Sequence, residues 1–304
     1  MASKTLSENI NQAISDFGSI KQAIIDKGVD VPSGTPTSQY GAKIGEIQSG
    51  GGSDEDFISV IERTATNPTL PSGLTKVGDY AFYSYKNLSL TTLPNSVTSI
   101  GNNAFQNCTN LALTSLPNGL TSIGNDAFSN CTSLALTSLP SGVTSIGSYA
   151  FYNCTNLALT SLPNSLTTIG QSAFSSCTNL VLTALPNGVT SIGNYTFSGC
   201  TNLALTSLPN GVTSIGNYAF DDCKNLALTS LPSGLKYLYG NAFYGCTGLT
   251  EITFKSKPSI LDTSAFKSCT NLTTIRVPWA EGEVSGAPFG ATNATLIYNY
   301  TETE

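Results

Sequence analysis

The chain repeats one pattern of apolar and polar positions, in units of 23 residues, from Phe82 to Phe266. An internal unit reads AFQNCTNLALTSLPNGLTSIGND. Leu111 and Leu113 alternate as residues on one face of a β-strand do, and the Pro-Asn-Gly sequence that follows is typical of a turn. We predict that the apolar side chains of each unit point inward. In this unit they are Phe105, Leu111, Leu113, Leu116, Leu120 and Ile123.

Phenylalanine marks the repeat most clearly, because it recurs at a constant interval of 23 residues. The positions are Phe82, Phe105, Phe128, Phe151, Phe174, Phe197, Phe220, Phe243 and Phe266, with a degenerate copy at Phe289. A constant period of about 20–29 residues with recurring leucines is typical of a leucine-rich-repeat solenoid, in which each repeat forms one coil. The predicted fold is therefore a repeat solenoid, mainly β with short helical or irregular turns. Such a fold offers a long surface, which favours recognition over catalysis.

Two further columns of the repeat have predicted structural roles. A glycine follows the isoleucine of most units, which predicts a place where the backbone bends tightly or adopts a positive φ. These glycines are Gly78, Gly101, Gly124, Gly147, Gly170, Gly193 and Gly216. A recurring asparagine predicts a ladder of side chains that satisfies backbone groups in the turns. Its members are Asn110, Asn156, Asn179, Asn202 and Asn225.

The last units depart from the pattern. The apolar residues there are Leu249, Ile252 and Phe254, whereas the middle units carry a leucine five residues after the cysteine. This change predicts a shift of strand register, with a bend or bulge near residue 250. The end of the chain has the features of a closing cap, and residues 295–298 alternate as in a last strand.

The N-terminal residues are predicted to form a helical module. Apolar residues over 5–27 follow the 4-3-4-3-4 spacing of a coiled coil, and Gly28 provides a C-terminal stop. They are Leu6, Ile10, Ala13, Phe17, Ile20 and Ile24. This spacing favours an oligomerisation stalk and hence a homo-oligomer, with a trimer favoured. The alternative is an amphipathic helix that lies on its own domain.

A glycine-rich linker marks the clearest domain boundary. The predicted divisions are an N-terminal anchor and oligomerisation module at 1–48, the linker at 49–56, the solenoid at 57–289, and a C-terminal cap and tail at 290–304. The first residues of the solenoid should form an irregular coil that covers its apolar end.

Composition narrows the function. Only 11% of the 304 residues are charged, and the formal net charge of −6 argues against nucleic acid as a partner, because phosphate binding requires clustered Lys and Arg. Histidine is absent, which removes the commonest general base and metal ligand. We therefore expect no enzyme, no cofactor and no metal. The sequence also predicts no membrane span, and its first residues do not resemble a secretory signal.

The eight cysteines form a single column, three residues after the phenylalanine. They are Cys108, Cys131, Cys154, Cys177, Cys200, Cys223, Cys246 and Cys269. No close Cys pair of the zinc-binding type occurs. Two interpretations remain, namely disulfides between successive coils and buried structural thiols. The second is favoured, because cysteine buries well and the first unit carries Tyr85 at this position.

Two positions of the unit vary from coil to coil, and both carry tyrosines. One lies two residues before the phenylalanine and the other directly after it. Exposed tyrosine on a rigid scaffold supplies amphipathic contact area at low entropic cost. The candidate ligand contacts are Tyr149, Tyr152, Tyr195 and Tyr218. The alternative is a solvated edge that tolerates almost any residue.

The AFxxCxxL unit, with its LP turn and its SIG step, resembles the BspA-like (Treponema-type) leucine-rich repeat family. The resemblance extends from Phe82 to about Pro278. It implies a bacterial surface protein or adhesin that binds host matrix or cells through the repeats.

Both ends of the chain are similar to a different group of proteins. The segment KQAIIDKGVDVPSGTPTSQYGAKIGEI resembles a short N-terminal module of tail-associated and accessory proteins of phages and prophages from gut Firmicutes. The ending VPWAEGEVSGAPFGATNATLIYN resembles the end of leucine-rich proteins in such phages. This implies a virion protein that binds other virion proteins through its N-terminus and a host surface protein or glycan through its repeats. The alternatives are the bacterial surface adhesin and a structural decoration protein without a receptor.

Overall fold

The three-dimensional structure is a computed structural model that describes residues 66–70 and 72–301. The predicted N-terminal helix, the six apolar residues of its stalk and the glycine-rich linker lie outside the described residues. Within them the chain forms a solenoid of parallel strands and contains no helix. The predicted repeat solenoid is thus confirmed for this part of the chain, whereas its short helical turns are replaced by irregular ones.

Most strands of the described part are two residues long, because each coil contributes only a short extended segment before it turns. They are β1 (Lys76–Val77), β2 (Ser99–Ile100), β3 (Ser122–Ile123), β4 (Ser145–Ile146), β5 (Thr168–Ile169), β6 (Ser191–Ile192), β7 (Ser214–Ile215), β8 (Ser230–Leu231), β9 (Tyr237–Leu238), β10 (Glu251–Phe254), β11 (Ile260–Leu261), β12 (Thr274–Arg276) and β13 (Thr295–Ile297).

The strands form three parallel sheets. The first has the order β1-β2-β3-β4-β5, the second β11-β9-β7-β6, and the third β13-β12-β10-β8. Pairing follows the repeat, so that Ser99 lies opposite Ser122 and Ile100 opposite Ile123. The period of 23 residues therefore sets the register directly, because equivalent residues of successive coils become partners.

The inward columns form one continuous core. All six apolar residues predicted for the unit of Phe105 are buried, as are their equivalents in the other middle coils. The rings from Phe82 to Phe266 form an uninterrupted stack, with centroids 5.1–5.6 Å apart and planes within 10° of parallel. This spacing exceeds the strand separation of about 4.8 Å, which indicates that the rings are offset, as aromatic quadrupoles prefer.

The predicted strand over Leu111–Leu113 is wrong as a regular element. This segment makes a single backbone bond to the preceding coil, from the Ala112 N–H to the Leu90 carbonyl (3.2 Å), and the strand of the coil lies at Ser122–Ile123. Pro117 follows directly on this segment and has no N–H to extend a ladder. The longest strand, β10, occurs in a coil where proline comes four residues after Phe254.

Near residue 250, the position of the strand within the coil changes, as predicted, but no bulge is present. Strand β10 pairs with β8 at the usual spacing, with Thr253 opposite Ser230. The predicted last strand is confirmed as β13, which pairs with β12. Beyond it, Trp279 and Phe289 pack against Phe254 with centroids 5.3 Å and 6.1 Å away, so that aromatic rings cover the end of the core.

Candidate functional site

The cysteine column is structural. None of the eight cysteines forms a disulfide and all are buried, so the interpretation as thiols is confirmed. Each Sγ–H donates to a phenylalanine carbonyl of the preceding coil, 26 residues earlier, at 2.9–3.1 Å. Burial raises the pKa of the Cys154 and Cys177 thiols well above the usual value, which keeps them protonated and unreactive.

A shallow groove runs along the solenoid beside β1 to β5. Its volume is about 480 Å³. In each coil it is lined by consecutive residues, such as Ser122, Ile123, Gly124 and Asn125. We call the surface formed by these four columns from β1 to β5 the groove face. Lys76 lies at one end, and at the other end the lining stops at Gly170.

Glycines form the floor of this groove because successive coils approach closely there. A Cβ on Gly124 would lie 2.6 Å from the carbonyl carbon of Gly101, and one on Gly147 would lie 2.5 Å from that of Gly124. These two glycines do not have positive φ. The prediction of a tight bend or positive φ at this column is therefore wrong, and close contact between coils explains the glycine instead.

Asparagine side chains form one wall of the groove face. Asn102 Oδ1 accepts a hydrogen bond from the Asn125 N–H (2.9 Å), and Asn125 Oδ1 accepts one from the Ser148 N–H (2.8 Å). A backbone N–H requires an acceptor, so these contacts fix the orientation of both amides. Each Nδ2 group is without a partner among the described residues and is left available as a donor towards the groove.

This ladder was not the one predicted from the sequence. In the predicted column, one side-chain contact is present, between Asn225 Nδ2 and Asn202 Oδ1 at 3.4 Å. A second ladder of shorter contacts links Asn107, Asn130 and Asn153 at 2.9–3.0 Å. The recurrence of asparagine signals that a ladder exists, but three columns carry it and the sequence does not distinguish them.

Serine hydroxyls line the opposite wall of the groove. Ser99, Ser122 and Ser145 are half-buried, and their hydroxyls make no hydrogen bond within the part of the chain that the structure describes. Each hydroxyl is both a donor and an acceptor. The groove face thus presents a row of neutral hydrogen-bonding groups that repeats once per coil.

The four predicted tyrosines lie beside this face but form two separate pairs. Tyr149 and Tyr152 meet edge to face with centroids 6.0 Å apart, and Tyr195 stacks on Tyr218 at 5.1 Å. The coil between the pairs carries Ser172, which is buried. Tyr149 and Tyr195 are 37% and 40% exposed, and the other two tyrosines are half-buried.

The backbone does not account for tyrosine in this column. Tyr149, Tyr195 and Tyr218 have φ of 57°, 56° and 53°, a region that suits Asn and Asp and is uncommon for bulky residues. Equivalent coils carry Asn103 and Asp126 there, with φ of 55° and 52°. Tyrosine therefore occupies this column in spite of its backbone preference, which is consistent with a role of its side chain at the surface.

Charge is sparse along this surface. Asp126 is the acidic member of the tyrosine column, and partial burial raises its pKa, opposed by a hydrogen bond with Ser129. No group of three or more Cys, Asp or Glu among the described residues is arranged to hold a metal ion. In the same part of the chain, no helix is long and apolar enough to cross a membrane.

Comparison with known families identifies the repeat. The family model for the BspA type Leucine rich repeat region matches residues 62–181 and 179–293, which is more than half of the chain. The chain belongs to the BspA-type leucine-rich repeat family. The resemblance inferred from the AFxxCxxL unit is thereby confirmed. A search of the curated proteins finds no match.

Solved structures of several bacterial leucine-rich repeat proteins are similar to this BspA-type chain. A Treponema pallidum leucine-rich repeat protein is 32% identical, with 68% of this chain and 81% of that chain covered and a TM-score of 0.39. A leucine-rich repeat protein from Bacteroides ovatus is 22% identical, with 78% and 84% covered and a TM-score of 0.37. A leucine-rich cell surface protein from Faecalibacterium prausnitzii is 25% identical, with 74% and 81% covered and a TM-score of 0.36.

Proposed function

We propose that this BspA-type protein is a non-enzymatic surface adhesin that binds an extended, neutral glycan along the groove face. Proteins that share its repeat are typically bacterial surface proteins, and a leucine-rich repeat solenoid is typically a binding scaffold. The observation that carries the proposal is the row of asparagine amides whose oxygens are engaged by the backbone and whose Nδ2 donors are available.

The chemistry of the groove face suits sugars better than charged polymers. Sugar hydroxyls accept hydrogen bonds from amides and exchange them with serine hydroxyls, and the apolar face of a sugar ring packs on aromatic rings such as that of Tyr149. The donors repeat at the coil spacing of about 4.8 Å. A ligand with its own regular repeat therefore meets the same groups in each coil.

Binding to an immobilised panel of neutral and acidic polysaccharides tests this proposal. Ser122→Glu places bulk and charge in the groove, and we expect it to weaken binding at least about tenfold, as loss of well-formed polar contacts does. Ser214→Glu is the matched control, because Ser214 is half-buried in the same column but does not line the groove. Equal effects of the two substitutions, or binding confined to acidic polysaccharides, would contradict the proposal.

Tyr149→Asn tests the contribution of the tyrosine column. Asparagine already occupies this position at Asn103 and Asn241, with φ of 55° and 54°, so the variant should fold normally. We expect weaker binding with a free energy of unfolding changed by less than about 1 kcal/mol, since relief of backbone strain offsets the lost ring contact. Unchanged binding would leave the groove, without its aromatic border, as the site.

The family match favours the surface adhesin over the virion protein that the ends of the chain suggest. The virion assignment, its partner proteins and the homo-oligomer remain predictions. Light scattering of the full chain tests the oligomer, and a monomer at micromolar concentration would argue against the predicted stalk. Binding to intact bacteria and to neutral glycans distinguishes an adhesin from a decoration protein without a receptor.

A further inference from the structure

The sheet beside the groove is interrupted at one place. Strands β5 and β6 do not pair, although they occupy equivalent positions in successive coils. Elsewhere along these strands, a glycine N–H bonds to an isoleucine carbonyl of the preceding coil at 2.9 Å, as from Gly170 to Ile146 and from Gly216 to Ile192. Among the described residues the equivalent bond from Gly193 to Ile169 is absent.

The threonine column beside the strands is interrupted at the same boundary. Thr167 donates through both its N–H and its hydroxyl to the carbonyl of Thr144, and Thr213 does the same to Thr190, at 2.9–3.3 Å. Neither bond connects Thr190 to Thr167 within the described chain. Two independent columns therefore place the opening between the same two coils.

Exposure agrees with this opening. Thr168 of β5 and Ser191 of β6 are exposed, whereas the equivalent serines of β2, β3 and β4 are half-buried. Ile169 is 8% exposed, compared with at most 2% for the isoleucines of the other paired strands in its sheet. The two coils have thus moved apart on the groove side.

The coils remain together on the opposite side. Phe174 stacks on Phe197 with a centroid distance of 5.6 Å and planes within 1° of parallel. The Phe174 N–H still bonds to the Thr196 carbonyl at 2.9 Å, and the Ser176 N–H to the Ser198 carbonyl at 2.7 Å. The opening is consequently a local wedge and not a break in the core.

Thr196 lies at the apex of this wedge. It is fully buried, at a position where the other repeats carry alanine. Its hydroxyl donates to the Gly193 carbonyl at 3.0 Å. A Cβ on Gly193 would lie 3.3 Å from this hydroxyl and 3.5 Å from Gln171 Cα, whereas at Gly124 and Gly147 backbone atoms of the preceding coil lie within 2.7 Å.

We propose that Thr196 determines the length of ligand that the groove face accepts, an inference that rests on the proposed function. Its additional methyl and hydroxyl groups hold Gly193 away from the preceding coil and end the row of donors at Gly170. The remaining groove covers four coil intervals, or about 19 Å. Tyr195 and Tyr218 lie beyond the wedge and do not continue this groove.

Hydrogen exchange measured by mass spectrometry tests the structural step without a ligand. In Thr196→Ala we expect the amides of Thr190 and Gly193 to exchange about tenfold more slowly, because they gain the bonds present in the other coils. The reciprocal Ala150→Thr should open the preceding boundary and speed exchange at Gly147 by a similar factor. Gln171→Asn is the control, because it restores an acceptor in the asparagine column without altering the buried position.

Two results would overturn the assignment of the wedge to Thr196. One is unchanged exchange in Thr196→Ala. The other is closure of the wedge by Gln171→Asn alone, which would assign it to the asparagine column. Both measurements use the full chain and are independent of the identity of the ligand.

Binding of size-graded neutral oligosaccharides, of two to eight units, tests the functional step. For the natural protein, affinity should rise with chain length and level off once the groove is filled, and Thr196→Ala should move this plateau to longer chains. An unchanged plateau with a closed wedge would overturn the length-limiting role alone. A closed wedge with no binding by either protein would overturn that role together with the proposed function.

Discussion

Replacing glycine with alanine along a single column tests whether close contact between coils selects glycine there. In Gly124→Ala the new Cβ would lie 2.6 Å from the Gly101 carbonyl carbon, and an ordinary contact requires 3.4 Å, so the coils must separate by 3.4 − 2.6 = 0.8 Å. Such overpacking costs about 1–3 kcal/mol. Separation also weakens the bonds from Gly124 N–H to the Ile100 carbonyl and from Asn125 N–H to Asn102 Oδ1, each worth about 1 kcal/mol.

The lower entropy of the unfolded alanine chain offsets about 0.4–1 kcal/mol of this cost. The net expectation for Gly124→Ala is a loss of about 3 kcal/mol in the free energy of unfolding. Gly193→Ala is the matched control in the same column, because its Cβ would lie 3.5 Å from the nearest backbone atom. We expect that variant to be neutral or up to about 1 kcal/mol more stable.

Urea unfolding followed by circular dichroism measures both variants. Since long repeat arrays do not always unfold in one step, hydrogen exchange of the affected coils should accompany it. Gly119→Ala is a second control outside the column, with its nearest contact at 3.6 Å to the Thr98 methyl group. Equal stability of the Gly124→Ala and Gly193→Ala proteins would refute both the close-contact explanation and the description of the wedge.

Two further predictions concern the core. Phe151→Ala should cost about 3–5 kcal/mol, because this buried ring stacks on Phe128 and Phe174; the matched change at exposed Tyr149 should cost far less in the same urea titration. The buried thiols have raised pKa values, about 12 for Cys269, so the stability that they contribute is intact below pH 9 and is lost as pH rises above it. Unfolding at pH 8 and pH 10 should therefore show lower stability at pH 10, with a smaller drop in Cys154→Ala; equal stability at both pH values would contradict the burial of the column.

The sequence predicts the core columns well, because their periodicity and their burial have the same cause. A residue type that recurs every 23 positions, such as phenylalanine or cysteine, meets its own copy in the next coil, and apolar columns are stable only inside. The fold class, the inward residues and the reduced thiols all follow from this. The last strand was predicted from alternation, since β13 is long enough to show it.

Other features could not be predicted, because one residue type serves two physical roles. Glycine permits both positive φ and close approach, and the column of Gly124 uses the second. Asn102, Asn107 and Asn110 all recur, and the path of the backbone decides which side chains reach the next coil. The two-residue strands are also too short for alternation to reveal them.

Thr196 shows where the information about ligand length is found in a repeat protein. Identical coils offer identical groups, so a uniform groove fixes the spacing of a ligand but not its extent. An extent requires a coil that differs. The sequence displays that difference as a single threonine in an alanine column, but the consequence depends on the contact between that column and Gly193, which only the packing of the coils supplies. A change of two heavy atoms in the core thus suffices to end a surface that five successive strands build.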